Sequence, residues 1–372
     1  MYQLLKPLLF RLEAERAHEL VTGMFAAASR APLAPALLRA LYSYQHPMLA
    51  SVVAGLRFAN PVGLAAGFDK QASQIAPMSL LGFSHIEVGT VTPLPQPGNP
   101  QPRLFRLPRD GALINRMGFN SPGMDAVAER LELYRRTRRA ARHMPIVGVN
   151  IGKNRDTPLE QAAEDYRAVF YRLAPLADYV TINISSPNTP GLRQLHDRAA
   201  LEDLLGGIAA ARQRMLRHTP LLLKISPDET DEQIEQVVDV AQAAGVSGII
   251  ASNTTLSRAG ATDRLAGETG GLSGRPLAAR SLAVVRQVAR LTEGALPVIG
   301  VGGVSDAHDA YALIRAGARL VQVYSSLIYG GPRVVQQINN GLVTLLKRDG
   351  FASIAEAVGA GGSGGSATDS HR

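Results

Sequence analysis

A chain of 372 residues with 46% hydrophobic content is enough for one large domain and something extra. It has no cysteine, which excludes disulfides, a thiolate nucleophile and a thiolate metal site, and its eight histidines are scattered without metal-ligand spacing, so no metal is expected. The formal charge of +8 comes mainly from arginine, without the aromatic interleaving of a single-strand binder, and no internal run is long and uncharged enough to cross a bilayer.

Residues 1–45 differ from the rest. Leu4, Leu5, Leu8, Leu9 and Leu12 recur at helical spacing, followed by Leu20, Val21, Met24 and Phe25, which predicts two short amphipathic helices. Pro7 and the charges at Arg11, Glu13, Glu15 and Arg16 interrupt the apolar core that a secretory signal needs. Periodicity alone leaves two readings open, a helical cap packed on the main domain or a surface-lying membrane anchor that also admits an apolar substrate.

From about residue 60 to 348 apolar β-type runs alternate with helical periodicity. The runs are 62–66, 84–89, 145–149, 178–184, 220–225, 246–251, 296–301 and 319–323, and helices are predicted at 159–174, 199–216, 231–244, 278–291 and 306–316. Such alternation implies a parallel sheet covered by helices, and eight units predict a (β/α)8 TIM barrel over 46–350. Between the second and third strands lie a proline-rich connection, 93–120, too long for an ordinary βα loop and expected to cover a pocket, and a helix carrying Arg135, Arg136, Arg138, Arg139 and Arg142. Glycine and serine dominate 359–372, predicting a disordered tail.

The strand ends carry the chemistry. They close in Gly67 to Lys70, Thr90, Asn150, Asn183 to Asn188, Lys224, Ser252 to Thr254, Gly302 with Gly303, and Tyr324 with Ser325. A barrel collects such residues into one pocket at the carboxyl ends of its strands. The last two strand ends offer close-approach backbone for a phosphate, with Gly270 to Gly274 completing the cradle and a helix opening at Ser305 or Asp306 directing its positive end nearby. A phosphate pocket beside Lys224, Asn150 and Asn183 suits a phosphorylated ring cofactor such as a flavin. No Gly-x-Gly-x-x-Gly opens a helix after the first strand, so a nicotinamide Rossmann module is not supported.

Five segments, Ala66-Gly-Phe-Asp-Lys70, Asn115-Arg-Met-Gly-Phe-Asn120, Asn183-Ile-Ser-Ser-Pro-Asn-Thr-Pro-Gly191, Ser252-Asn-Thr-Thr255 and Gly270-Gly-Leu-Ser-Gly-Arg-Pro276, resemble dihydroorotate dehydrogenase over nearly the whole chain. The resemblance is to the class 2, quinone-dependent, membrane-associated branch, since Ser186 stands where class 1 enzymes have cysteine and the N-terminal extension is present. It implies oxidation of dihydroorotate to orotate in pyrimidine synthesis, with FMN taking the hydride, a membrane quinone reoxidising the flavin, and peripheral attachment to the cytoplasmic face of the cell membrane. Ser186 is implied as the base that removes the C5 proton. The implied substrate contacts are Lys70, Asn115, Arg116, Met117, Gly118, Phe119, Asn183, Asn188, Asn253 and Thr254, with Lys70 the counter-charge to the carboxylate. The implied FMN contacts are Ala66, Gly67, Phe68, Asp69, Lys70, Thr90, Asn150, Asn183, Lys224, Ser252, Gly274, Gly303, Tyr324 and Ser325. Lys224 would stabilise the reduced ring. Residues 189–197 are expected to form a moving lid beside Ser186. An RNA-acting flavin barrel such as a tRNA dihydrouridine synthase would need a cysteine acid, which is absent; a barrel that only binds a phosphorylated ligand is the other alternative.

Overall fold

The computed structural model describes residues 2–138, 144–189 and 191–361. Eight parallel strands close into a barrel in chain order: β1 Val62–Leu64, β2 His85–Val91, β3 Ile146–Ile151, β4 Tyr179–Asn183, β5 Leu221–Ile225, β6 Gly248–Ala251, β7 Val298–Val301 and β8 Ala318–Val323. Closure is made where Val321 of β8 pairs with Val62 of β1. All eight predicted runs are strands, and the predicted helices are present as Ala162–Leu173, Arg198–Gln213, Asp231–Ala243, Ala278–Thr292 and Ala307–Arg315.

The alternation of side chains along each strand sorts residues into two cores. Leu221, Leu223 and Ile225 of β5 pack outward under the helices, whereas Leu222 points into the barrel with Ile250, Ile299 and Leu320. A hairpin of Ser51–Val53 and Leu56–Phe58, not anticipated from the sequence, adds Val53 and Phe58 to this interior layer. The inward parity that places Leu222 low in the barrel brings Lys224 inward two residues later, at the end that carries the cavity described below.

The connection 93–120 is built around a hairpin, Leu104–Leu107 with Ala112–Asn115. Gly271–Gly274 adds a third antiparallel strand to it. This small sheet has its own apolar centre of Leu107, Ala112, Ile114 and Leu272. The N-terminal region contains three helices where two were predicted: α1 Tyr2–Leu9, α2 Ala14–Ala28 and α3 Ala34–Tyr42. Pro35 falls in the first turn of α3, where its missing N–H costs nothing.

α2 is fixed by the ion pair of Glu15 with Arg103, 2.7 Å apart and largely buried, and by His18 set edge-on against Phe68 at 4.7 Å. α1 is held by Tyr2 and Lys6, which donate to the carbonyls of Ile328 and Tyr329. Arg135 donates to the carbonyl of Pro175, while Arg139 and Arg142 lie outside the described residues. Of the expected tail, Gly359 and Gly361 are hydrogen-bonded to Ile314 and Arg315, and the stretch from 362 onward lies outside the described residues.

Candidate active site

The carboxyl ends of the strands and the three-stranded sheet enclose a cavity of about 1100 Å³, counting the space open to solvent at its mouth. Of the residues singled out in the sequence, Ala66, Gly67, Lys70, Thr90, Asn183, Ser186, Asn188, Lys224, Ser252, Asn253 and Thr254 line it from the barrel. Asn115, Met117, Gly118 and Phe119 line it from the long connection, and Gly274, Gly303, Tyr324 and Ser325 complete the wall. Residues that sequence reasoning missed include Leu104, Leu113 and Gln322.

A row of carboxamides runs across the barrel. Asn150 donates to the Glu87 carboxylate at 2.8 Å, and its Oδ1 accepts from Thr90 Oγ1 at 2.5 Å and from Asn183 Nδ2 at 3.0 Å. Asn183 Oδ1 in turn accepts from the Ser185 N–H and hydroxyl and from Asn253 Nδ2 at 3.4 Å. At the roof, Asn188 Nδ2 donates to the Asn115 carbonyl at 3.0 Å. The row presents fixed donors and acceptors to a flat polar ring.

Two lysines face this row. Burial lowers the Lys224 pKa, opposed by the attraction of Glu87, and its ammonium has no hydrogen bond within the described residues. Lys70 donates to Asn120 Oδ1 at 2.7 Å. Burial first, then repulsion from Arg103, lowers its pKa to about 7 against the pull of Glu15. A buried cation without a hydrogen-bond partner, in a cavity also lined by Gln322 with its buried and unpartnered Oε1, fits a ligand that brings its own polar edge.

Ser186 sits on the loop after β4, 6% exposed, and its Oγ accepts the Asn188 N–H at 3.3 Å. The segment that follows contains a short 3-10 helix, Leu192–His196, with Leu192 buried. Arg193 pairs with Asp228 at 2.9 Å, and Asp228 also accepts from Leu256 N–H and Thr255 Oγ1, so this segment is tied to the loop carrying Asn253 and Thr254.

Four expected contacts stand outside the cavity lining. Arg116 follows Asn115 with opposite side-chain parity, and its guanidinium bonds Glu268, Thr269 and the Pro102 carbonyl over the Phe105 ring. Asp69 is buried, accepting the N–H groups of Ser73 and Gln74. Phe68 is wedged between His18 and Tyr324. Asn150 lies one layer below, reaching the cavity through Asn183.

The glycine cradle has the required shape. Gly302 and Gly303 have φ of +119° and +75°, and a Cβ on Gly303 would lie 2.3 Å from the Ala278 Cα. Ser273 and Ser325 hydroxyls meet at 2.9 Å on the same wall. The helix expected to direct its positive end nearby, Ala307–Arg315, is capped by Asp306, whose carboxylate accepts from the His308 and Asp309 N–H groups. The Gly302–Gly303 backbone and the Ser273 and Ser325 hydroxyls are the groups that could hold a phosphate there. The cradle, the unpartnered cation and the amide row together fit a phosphorylated flavin.

A family model described as Dihydroorotate dehydrogenase matches residues 48–346. A Dihydroorotate dehydrogenase (quinone) of Roseiflexus castenholzii is 62% identical over 359 residues, covering 96% of both chains. One of Deinococcus radiodurans is 50% identical over 375 residues, covering 97% of this chain and 100% of the relative. Among solved structures, that of DHODH in complex with ferulenol from Eimeria tenella superposes with a TM-score of 0.86 at 40% identity, covering 93% of this chain and 95% of the other. With the matched motifs gathered around one barrel mouth, the chain belongs to the dihydroorotate dehydrogenase family, in its quinone-dependent class 2 branch.

Proposed function

We propose that the protein oxidises (S)-dihydroorotate to orotate in pyrimidine synthesis, with FMN in the cavity and a membrane quinone as the final acceptor. The observation that carries this reading is the convergence of Ser186, Lys70, Lys224 and the amide row on one cavity. FMN supplies the hydride-accepting ring. Lys224 provides positive charge at the ring's polar edge, and the Gly303 and Gly274 backbone with Ser325 holds the phosphate end.

Lys70 pairs with the substrate carboxylate, while Asn115, Asn183, Asn188 and Asn253 match the ring's alternating carbonyl and N–H groups. Ser186 Oγ takes the C5 proton. A hydroxyl is a weak base, and the Asn188 N–H directed at its oxygen stabilises the charge that would develop there. The roof sheet and the segment from 189 to 197 keep water from the reacting atoms.

Residues 1–45 act as the quinone-access region and 46–350 as the catalytic barrel. Leu4, Leu8, Met24, Leu33 and Leu37 are exposed on the N-terminal helices, Leu4 and Leu33 by 83% and 84%. No described helix is long and apolar enough to span a membrane. The exposed apolar side chains are the surface by which these helices lie on the membrane, at the cytoplasmic face of the cell membrane. Phe68 links this region to the cavity, touching His18 on one side and the cavity-lining Tyr324 on the other.

The test is anaerobic addition of dihydroorotate to flavin-loaded protein, which should bleach the flavin spectrum. Ser186→Ala should retain flavin and slow bleaching roughly 10²- to 10⁴-fold. Loaded protein that does not bleach refutes the activity.

A further inference from the structure

Glu87 lies on β2 inside the barrel with no solvent exposure, below the residues that line the cavity. An isolated carboxylate there would be costly, yet this one is surrounded by donors. Asn150 Nδ2 reaches Oε1 at 2.8 Å, while Tyr179 OH, Thr181 Oγ1 and Gln322 Nε2 reach Oε2 at 3.1, 3.2 and 3.0 Å. Three other strands thus supply hydrogen bonds to a charge that none of them neutralises.

The positive charge comes from Lys224 on β5. At its level the neighbouring strands present Asn183 and Ile250, neither of them ionisable. Below are Glu87 and the Tyr179 phenol, whose pKa burial raises well above its ordinary value, so the phenol stays neutral. Lys70, the other cation lining the cavity, carries the same sign. Lys224 pairs with Asn183 on β4, two residues above Thr181, which donates to the Glu87 carboxylate, so the two charges lie on the same inward layer, and the attraction of Glu87 opposes the lowering of the lysine pKa by burial.

A carboxylate can only accept, so Asn150 must turn its amide N–H toward Glu87 and its oxygen toward Thr90 and Asn183. Asn183 must then donate to Asn150 and offer its oxygen to Ser185 and Asn253. One buried charge sets the sense of the whole row.

We infer that Glu87 is a positioning residue for this reaction: its carboxylate is the buried counter-charge to the Lys224 ammonium that lines the cavity, and it fixes the donor–acceptor direction of the Asn150–Asn183–Asn253 row. The inference rests on the reading that FMN occupies the cavity with Lys224 at its edge.

The experiment measures the midpoint potential of bound flavin from about pH 6 to 9 in wild type, Glu87→Gln, Lys224→Met and the double variant. If Glu87 supplies the counter-charge, Lys224 should keep its proton across this range in wild type. In Glu87→Gln it should lose that proton in the resting protein and regain it when two electrons arrive. One extra proton per two electrons steepens the pH dependence by about 30 mV per unit, the potential equivalent of a tenfold change for a two-electron couple. The double variant should match Lys224→Met.

Equal slopes in wild type and Glu87→Gln, or steepening that survives in the double variant, overturn the role of Glu87 while leaving the FMN reading intact. Wild-type protein unable to bind flavin overturns both. If Glu87→Gln does not fold or load near pH 7, it should recover toward pH 9, because the unfolded chain holds the lysine proton there and the folded barrel no longer has to. Failure at both pH values counts against the inference.

Discussion

At Lys70 burial and the charge of Arg103 pull together against Glu15, and the balance falls close to neutrality. Its ammonium is pushed down from 10.5 to about 7, by burial first and by Arg103 second, with Glu15 opposing. A carboxylate ligand needs the protonated form. Orotate should therefore bind the flavin-loaded protein with a constant Kd below about pH 7, and above it the Kd should rise by up to tenfold per unit until the complex's own higher pKa is reached. Lys70→Gln should flatten that profile and weaken binding by about 1.5–3 kcal/mol, the range for a hydrogen bond to a charged group. Spectral titration at several pH values checks both. A Kd independent of pH in the wild type would remove Lys70 as the counter-charge.

The roof sheet leaves almost no space above the substrate loop. A Cβ on Gly271 would stand 2.0 Å from Thr254 Oγ1 and 3.2 Å from Pro187, so Gly271→Ala must displace Thr254 or lift the sheet. Overpacking of this kind costs about 1–3 kcal/mol. The expected result is a KM for dihydroorotate raised roughly 5- to 100-fold with normal flavin content; an unchanged KM would mean that the sheet does not press on the substrate side. The roof also marks where sequence reading stops. Buried parallel strands are continuous apolar runs, so all eight barrel strands were legible, and so were the polar residues at their ends. The pairing of Ala112–Asn115 with Gly271–Gly274 joins segments more than 150 residues apart and leaves no local pattern, so 93–120 could be read only as a stiff cover. Arg116 and Asp69 were named with the motifs that contain them, but strand parity and a turn-capping role take their side chains elsewhere. Glu87 and Gln322 were hidden inside apolar runs, where only barrel closure reveals that they meet.

On the scale of the whole molecule, the N-terminal helices have one face built into the barrel and one left exposed. Removing residues 1–45 would strip Glu15 from the buried Arg103, and breaking a buried ion pair from one side costs about 3–5 kcal/mol, so a truncation mixes lost stability with lost access. The hydrogen bond from Arg103 holds the Glu15 carboxyl below its ordinary value of 4.5. Its contribution is therefore complete above that pH and fades as pH falls through the lowered value. Working near pH 7 and changing only exposed side chains separates the two effects. Leu4→Ser, Leu8→Ser, Met24→Ser and Leu37→Ser combined alter residues that stand in solvent, so the thermal midpoint should hold. Co-sedimentation with anionic vesicles should fall, since each buried leucine or methionine is worth about 1.5–3 kcal/mol when it leaves water. Bleaching by dihydroorotate and reoxidation by a short, water-soluble quinone should stay at wild-type rates, while reoxidation by a long-chain quinone in vesicles slows. If the variant sediments and turns over long-chain quinone like wild type, these helices are a packing cap and the acceptor reaches the flavin by another route.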